Sequence, residues 1–383
     1  MFNGGFFFLK EIIMYEIVIR NGHVYDGLGS NPYIADIAIS NGIIVAIGKI
    51  EGQALNVIDA SGLSVSPGFI DLHTHSDLSF LIEPLADSKL RQGCTFELIG
   101  NCGRSDGGPL FGEGFDLTNE RLETLNFIPN FTLTGNYDDY LNLLEEKGTL
   151  INIAGQIGHG TLRTSVIGSG DTNPTLDELD NMISLLDECL DQGAMGFSTG
   201  LYYAPGNYSR TEEVIKLCNV ASKKNKLYST HMRDESDYSI GLRGALEETM
   251  SIAQISGVKT QVSHLKCIGP VTWGQADILL SRIDEMRRGG YDVIADQYPY
   301  TGSSTMLAGA VFPRWVQAGG RSEALQRIED PALYDRLKKD ISRNFYRRGG
   351  VGAISIAQCP DNREFDGLNL EEISDVMNCD PED

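Results

Sequence analysis

The chain has no window of about 18 apolar residues, so no membrane-crossing helix is expected. Positive charge is scarce: 31 basic residues stand against 53 acidic ones, a formal net charge of −22. Such a field repels nucleic acid and anionic membranes, and no basic stretch reverses it. The seven cysteines (Cys94, Cys102, Cys189, Cys218, Cys267, Cys359 and Cys379) are odd in number and irregularly spaced. That argues against a disulfide framework and fits a reducing, cytoplasmic setting. Internal repeats and low-complexity segments are also lacking. What is present is 41% apolar residues and 43 glycines, the composition of a loop-rich globular protein. The length of 383 residues exceeds a typical single domain but suits one barrel with a small appendage.

Residues 1–13 read as an extension ahead of Met14. Their apolar run, Gly4 to Leu9, has no basic leader and no small-residue cleavage site; a weak secretion signal is the alternative. Residues 14–66 read as a small β-domain. Asn21-Gly22 and Asn41-Gly42 are turn signals, and Ala35–Ile39 and Ile43–Ile47 are expected to pair as a hairpin. From residue 67 to 304, seven short apolar runs alternate with helical segments: 69–72, 95–99, 151–157, 195–198, 227–230, 260–263 and 293–296. Thr175 to Leu190 carries Leu176, Leu179, Met182, Leu185, Leu186 and Leu190 on one helical face. Another helix is expected to open at Thr211, capped by Ser209. Strands alternating with helices imply a parallel α/β barrel of the (β/α)8 TIM type, incomplete here at about seven strands. Residues 305–350 read as an insertion or lid, and 351–383, with the apolar run Ala353–Ala357, as the start of a barrel end that the chain does not complete.

Only six histidines occur, and five sit at or just past the end of a predicted strand. His73 and His75 follow the first run, His159 the third, His231 the fifth and His264 the sixth. A parallel barrel gathers such ends on one rim, where barrel enzymes build their sites. Imidazole is a preferred zinc ligand, and alternate residues on a strand point the same way, so His73 and His75 can grip one ion. A lone histidine is more often an ordinary hydrogen-bonded residue, and His23 is read that way; five on one rim are not. His159 stays open between substrate contact and proton handling. Cys102 follows the second run between Gly100 and Gly103, and thiolate is a strong zinc ligand. Cys267 is a weaker candidate, and the other five cysteines read as small buried hydrophobes.

The stretch Pro67-Gly68-Phe69-Ile70-Asp71-Leu72-His73-Thr74-His75 resembles the strand-one signature of the amidohydrolase superfamily. More narrowly the chain resembles the N-acyl-D-amino-acid deacylases (D-aminoacylases). The marks are Ile99-Gly100-Asn101-Cys102-Gly103, Gly158-His159-Gly160-Thr161, Thr230-His231-Met232-Arg233-Asp234-Glu235, Ser263-His264-Leu265-Lys266 and Asp296-Gln297-Tyr298-Pro299-Tyr300. The resemblance implies a zinc-dependent amide hydrolase that removes the acyl group from N-acyl-D-amino acids. It implies one tight zinc site at Cys102, His231 and His264 and a second, weaker one at His73 and His75. Cys102 then takes the place of the carbamylated lysine of other superfamily members. No lysine follows Phe197-Ser198-Thr199-Gly200, which agrees. Tyr298 and Ser304 match positions that hold the substrate carboxylate. Zinc would polarise the amide carbonyl and acidify an attacking water.

The resemblance also calls for a general-base aspartate after an eighth strand, in a Ser-Asp-Gly context. Ser105-Asp106-Gly107 follows the second run, and Phe365-Asp366-Gly367 has neither the serine nor a strand before it. No catalytic acid is therefore named, and the chain reads as C-terminally truncated. Asp296 and Asp234 are the acids that would have to serve instead. Two other readings stand: a cyclic amidase of the hydantoinase or dihydroorotase kind, and a zinc-binding remnant without turnover.

Overall fold

The computed structural model describes residues 14–124 and 133–383 and divides into two compact units, Met1–Phe69 and Ile70–Asp383. The extension expected over residues 1–13 lies outside the described residues.

The first unit is a five-stranded sheet of β1 (Met14–Val24), β2 (Tyr33–Ser40), β3 (Ile43–Gly48), β4 (Gln53–Asp59) and β5 (Ser64–Val65). The expected hairpin is present: β2 and β3 run antiparallel with Ala38 opposite Ala46, and Asn41 and Gly42 turn at positive φ. Asn21-Gly22 does something else. It does not turn the chain; the register of β1 against β2 slips there, so the pair forms an irregularity within one strand. Asn21 takes the left-handed conformation at φ 59°, and its N–H donates to Asp36 Oδ1 at 3.0 Å. Side chains of β1 and β2, with Val18 and Ala38 fully buried, make its small core.

The second unit is built on seven strands in chain order: β6 (Phe69–Asp71), β7 (Cys94–Ile99), β8 (Asn152–Gly158), β9 (Gly196–Gly200), β10 (Leu227–His231), β11 (Lys259–Val262) and β12 (Val293–Ala295). Every pairing from β7 to β12 is parallel. The central strands are buried on both faces, as parallel strands covered by helices must be, and all five residues of β9 are buried. This is the α/β barrel-type fold that the alternating runs predict, and each run falls within a residue or two of a strand.

Helix Leu176–Asp191 buries Leu179, Met182, Leu186 and Leu190 against this sheet, and Thr175 with Glu178 forms a capping box at its start. Leu176, expected on the buried face, is exposed; the buried residues of this helix begin at Leu179. Helix Thr211–Lys223 begins where expected, but Ser209 does not cap it; its hydroxyl donates to Gly206 O and Arg210 holds the cap position. Residues 305–350 contain four helices and no strand. Their apolar faces, with Val316, Leu337, Ile341 and Phe345, make a separate cluster that also takes in Val351, Ile354 and Leu370. The run Ala353–Ala357 accordingly serves this helical cluster. It forms no barrel strand, only a single bridge from Ser355 to Asn369.

Candidate metal centre

Because β7 to β12 are parallel, their C-terminal ends lie together, and the residues after them meet, with those that follow β6 beside them. Cys102 is the meeting point. Its Sγ lies 3.3 Å from His73 Nε2 and 3.4 Å from His264 Nε2. The ring of His231 stands 4.4 Å from that of His264, centroid to centroid, and His75 lies edge-on to His73 at 5.6 Å. Burial alone would raise the Cys102 thiol. The imidazoles of His231, His264, His73 and His75 around it outweigh burial and hold it well below the ordinary thiol range. The sulfur is thus a thiolate ringed by the four histidines singled out in the sequence.

The local backbone is shaped for this. Cys102 and His264 both hold positive φ, 53° and 36°, a conformation that costs a non-glycine residue roughly 1–3 kcal/mol. The loop bearing Cys102 lies directly on β9, and a Cβ on Gly103 would come within 2.5 Å of Gly200 N. Gly103 N–H instead donates to Ser198 Oγ at 3.1 Å, which pins the loop. The His264 turn is held by Asp296, whose Oδ1 accepts its N–H at 2.8 Å.

Two carboxylates stand behind the histidines. Asp296 lies 3.1 Å from His73 Nδ1, so the opposite ring nitrogen faces Cys102. Burial would lower the His73 pKa, but Asp296 and the Cys102 thiolate push it up to about 10. Glu235, 1% exposed, lies 3.2 Å from His264 Nδ1 and 3.3 Å from His231 Nε2. Lys266 Nζ joins it at 2.7 Å. Neither Glu235 nor Lys266 is among the ligands that the sequence suggests, although both fall inside motifs quoted for the resemblance. The usable signal was the four-residue step from His231 to Glu235 and the two-residue step from His264 to Lys266.

Among the described residues two donor sets could each hold an ion: His73, Cys102 and His264, and His231, Glu235 and His264. The separations suit shared coordination, since zinc bonds near 2.0–2.3 Å place neighbouring donors about 3.3–3.6 Å apart. A further observation agrees. Both ring nitrogens of His231 and the Oε2 of Glu235 are buried and make no well-formed hydrogen bond, their approach to each other at 3.3 Å included, a condition that costs about 1–3 kcal/mol per group unless something else takes the lone pairs. The residues present therefore fit a zinc-type cation.

Tyr298 and Ser304 line the cleft beside His231 and His264, together with Tyr203 and Arg348. His159 is elsewhere. It is fully buried, its Nε2 lies 2.7 Å from Glu213 Oε1, and Arg163 Nη1 donates to both oxygens of that carboxylate. The sequence leaves His159 open between substrate contact and proton handling; here its ring is enclosed, with Glu213 from helix Thr211–Lys223 as the partner of Nε2. Asp234 is also spoken for. Its oxygens accept the N–H groups of Ser236, Ser239 and Gly241, which shape the loop after β10. Cys267 packs beside the cluster of Leu246, Met250 and Val262, outside both donor sets, and none of the seven cysteines is joined in a disulfide.

The amidohydrolase family model matches residues 56–260. An N-acyl-D-glutamate deacylase and a D-aminoacylase, both of Alcaligenes xylosoxydans xylosoxydans, are 36% and 34% identical to the chain over 293 and 304 residues, 76% of the chain in each case. The chain spans 58% and 59% of their respective lengths. The crystal structure of N-acyl-D-glutamate deacylase from Bordetella bronchiseptica, in complex with zinc and a phosphonate mimic of the tetrahedral intermediate, superposes with a TM-score of 0.77 at 30% identity. That match covers 97% of this chain and 69% of the other. The chain belongs to the amidohydrolase family.

Proposed function

We propose that the chain carries the metal-binding part of a zinc-dependent hydrolase that removes the acyl group from N-acyl-D-amino acids. One observation carries the reading: the Cys102 thiolate meets His73 and His264 from distant strand ends, with His231 beside them. In this reading Cys102, His231 and His264 hold the tight ion and His73 with His75 a weaker one. Bound zinc supplies carbonyl polarisation and a water acidified toward about pH 7.

The chain's own residues prepare the rest. Asp296 and Glu235 fix the histidine rings. Tyr298 and Ser304 offer hydroxyls in the cleft for the substrate carboxylate. Arg348 adds a guanidinium there. It donates to Ala310 O and to the Tyr202 hydroxyl, and among the described residues no carboxylate pairs with it, so a substrate anion would meet an uncompensated cation. The names of the relatives above support a D-amino acid on the acyl nitrogen.

A second reading, a chain that holds zinc without turnover, draws on the acids of the site. Asp296, Asp234 and Glu235 each already serve a histidine or a loop, which leaves none of them free to move a proton. The test is to load the purified chain with zinc, measure the metal by elemental analysis, and follow acetate release from N-acetyl-D-methionine and from its L-enantiomer. Release from the D-form alone supports the first reading. Stoichiometric zinc with no release from either supports the second.

A further inference from the structure

We propose that a second cleft, beside the metal centre but separate from it, binds a carboxylate carried on an aromatic or comparably large apolar body. The site is one that the proposed hydrolysis does not use.

The cleft lies between the loops after β9 and β10 and the helices of residues 305–350, with a volume of about 530 Å³. Cavities of this size commonly take one small molecule. Its walls are rich in rings: Tyr202, Tyr203, Tyr208, Tyr238, Phe312 and Trp315. His231, His264, Tyr298 and Ser304, which line the cleft at the metal centre, do not border it; Tyr202 and Tyr203 are shared by both. The Tyr202 ring stacks 5.5 Å from that of His231, and the Arg314 guanidinium lies 5.9 Å over the same tyrosine.

The charges of this second cleft do not balance. Arg314, Arg343 and Arg347 line it, with Asp171 and Asp340. Arg347 is engaged by Asp237 at 2.9 Å and by the Asn344 side chain at 2.9 Å. Asp340 accepts from Trp315 Nε1 at 2.9 Å and lies 4.0 Å from Arg336. That leaves Arg314 and Arg343 against the exposed Asp171. Arg314 donates to Arg233 O at 2.8 Å, and among the described residues neither it nor Arg343 has a carboxylate within ion-pair distance. In a chain of net charge −22 this is a local reversal of sign, and it draws an anion.

An uncharged group points the same way. Asn207, which also lines the cleft, is 8% exposed. Its backbone is satisfied: the N–H donates to Tyr203 O at 2.8 Å, and the carbonyl accepts from Arg233 Nη1 at 3.1 Å. Its side-chain amide has no partner on either atom among the described residues. Buried amides seldom stay unpaired. An amide N–H beside two guanidiniums suits the oxygens of a carboxylate, which guanidinium forks grip in two parallel bonds. The rings around them suit an apolar body.

The experiment measures binding, so it stands apart from any result on amide hydrolysis. The probe is 3-phenylpropanoate, titrated into the zinc-loaded chain by calorimetry and by tryptophan fluorescence. The chain has two tryptophans, and Trp273 is exposed and outside the cleft. The expected result is saturable binding with an emission change that survives Trp273→Phe and vanishes in Trp315→Phe. The uncharged 3-phenylpropanamide should bind about tenfold more weakly or worse, and Arg314→Met should weaken the anion by about 10–100-fold. Asn207→Ala should weaken it by a smaller factor, and Ser304→Ala, in the other cleft, should bind it as the parent does. No binding by the parent would overturn the proposal. So would equal affinity for the amide, an emission change kept in Trp315→Phe, or binding lost in Ser304→Ala. If Arg314→Met does not fold, Arg343→Glu decides, because that side chain is exposed. A loss of about tenfold or more there supports the proposal, and parent affinity overturns it.

Discussion

Cys102 and His264 stand 162 residues apart in the chain, yet Sγ of one lies 3.4 Å from Nε2 of the other. Both hold positive φ, so the backbone is bent out of its preferred conformation at each end of this contact. Strained backbone of this kind clusters at active sites and ligand clamps, where the surrounding structure holds it in place. Cys102→Ala should therefore strip most of the zinc, with affinity down by roughly 100-fold or more, beyond the range seen for outer partners. Cys102→Gly separates the thiolate from the strain. It should lose zinc equally but melt at or above the parent temperature, because glycine takes φ 53° without cost. Unchanged zinc content on elemental analysis would remove Cys102 from the ligand set.

Asp296 touches His73 Nδ1, Gln261 Nε2 and His264 N–H. Three contacts of this kind hold a carboxylate still and make it an orienting group for His73. Asp296→Asn keeps the shape but puts an amide where a carboxylate faced the ring. Zinc retention against a chelator should weaken by about 10–100-fold, while the fold stays intact by circular dichroism. If zinc is retained as in the parent, His73 does not depend on Asp296.

The strands and the rim were legible in the sequence because both signals are local. Seven apolar runs between amphipathic segments gave the parallel sheet, and rare histidines after those runs marked the rim. Glu235 and Lys266 were not legible. A glutamate and a lysine are common residues, and only the packing of the loop after β10 against that after β11 gives them a histidine to serve. His159 shows the converse: its place at a strand end fits the rim pattern, while its ring lies in the interior against Glu213, from a helix 54 residues on. Asn21-Gly22 shows the same limit, since a turn dipeptide becomes a strand irregularity when Asp36 lies opposite.

Gly200 ends β9 under the Cys102 loop. A Cβ at this position would lie 2.1 Å from Cys102 O, a backbone atom with no flexible end to give way. Gly200→Ala must push that loop outward, at a cost of about 1–3 kcal/mol for overpacking. Zinc affinity should fall with it, since Cys102 moves. Gly170→Ala is the comparison, because its nearest neighbours lie at 3.8 Å and beyond; it should melt within a degree or two of the parent and bind zinc normally. Equal behaviour of the two variants in both assays would mean that the loop does not need the close approach.

The His159, Glu213 and Arg163 cluster predicts how stability responds to acid. Burial holds the His159 pKa below its ordinary 6.5, against the pull of Glu213. Burial would raise Glu213, but hydrogen bonds from His159 and Arg163 outweigh it and leave the carboxyl below its ordinary 4.5. Both folded values are depressed, so both contributions are present at neutral pH and lost on acidification. The His159 contribution declines first, as pH drops below 6.5, and that of Glu213 follows below 4.5. Glu213→Gln leaves the fully buried Arg163 without its carboxylate, which should cost about 3–5 kcal/mol at pH 7. Its stability curve should also flatten relative to the parent below pH 4.5. Adding Arg163→Met removes the stranded charge, so the double variant should be more stable than Glu213→Gln alone. Thermal melts of the three proteins between neutral pH and pH 4 check this. A double variant less stable than the single, or parallel pH curves for parent and Glu213→Gln, would show that this buried pair does not govern the acid response.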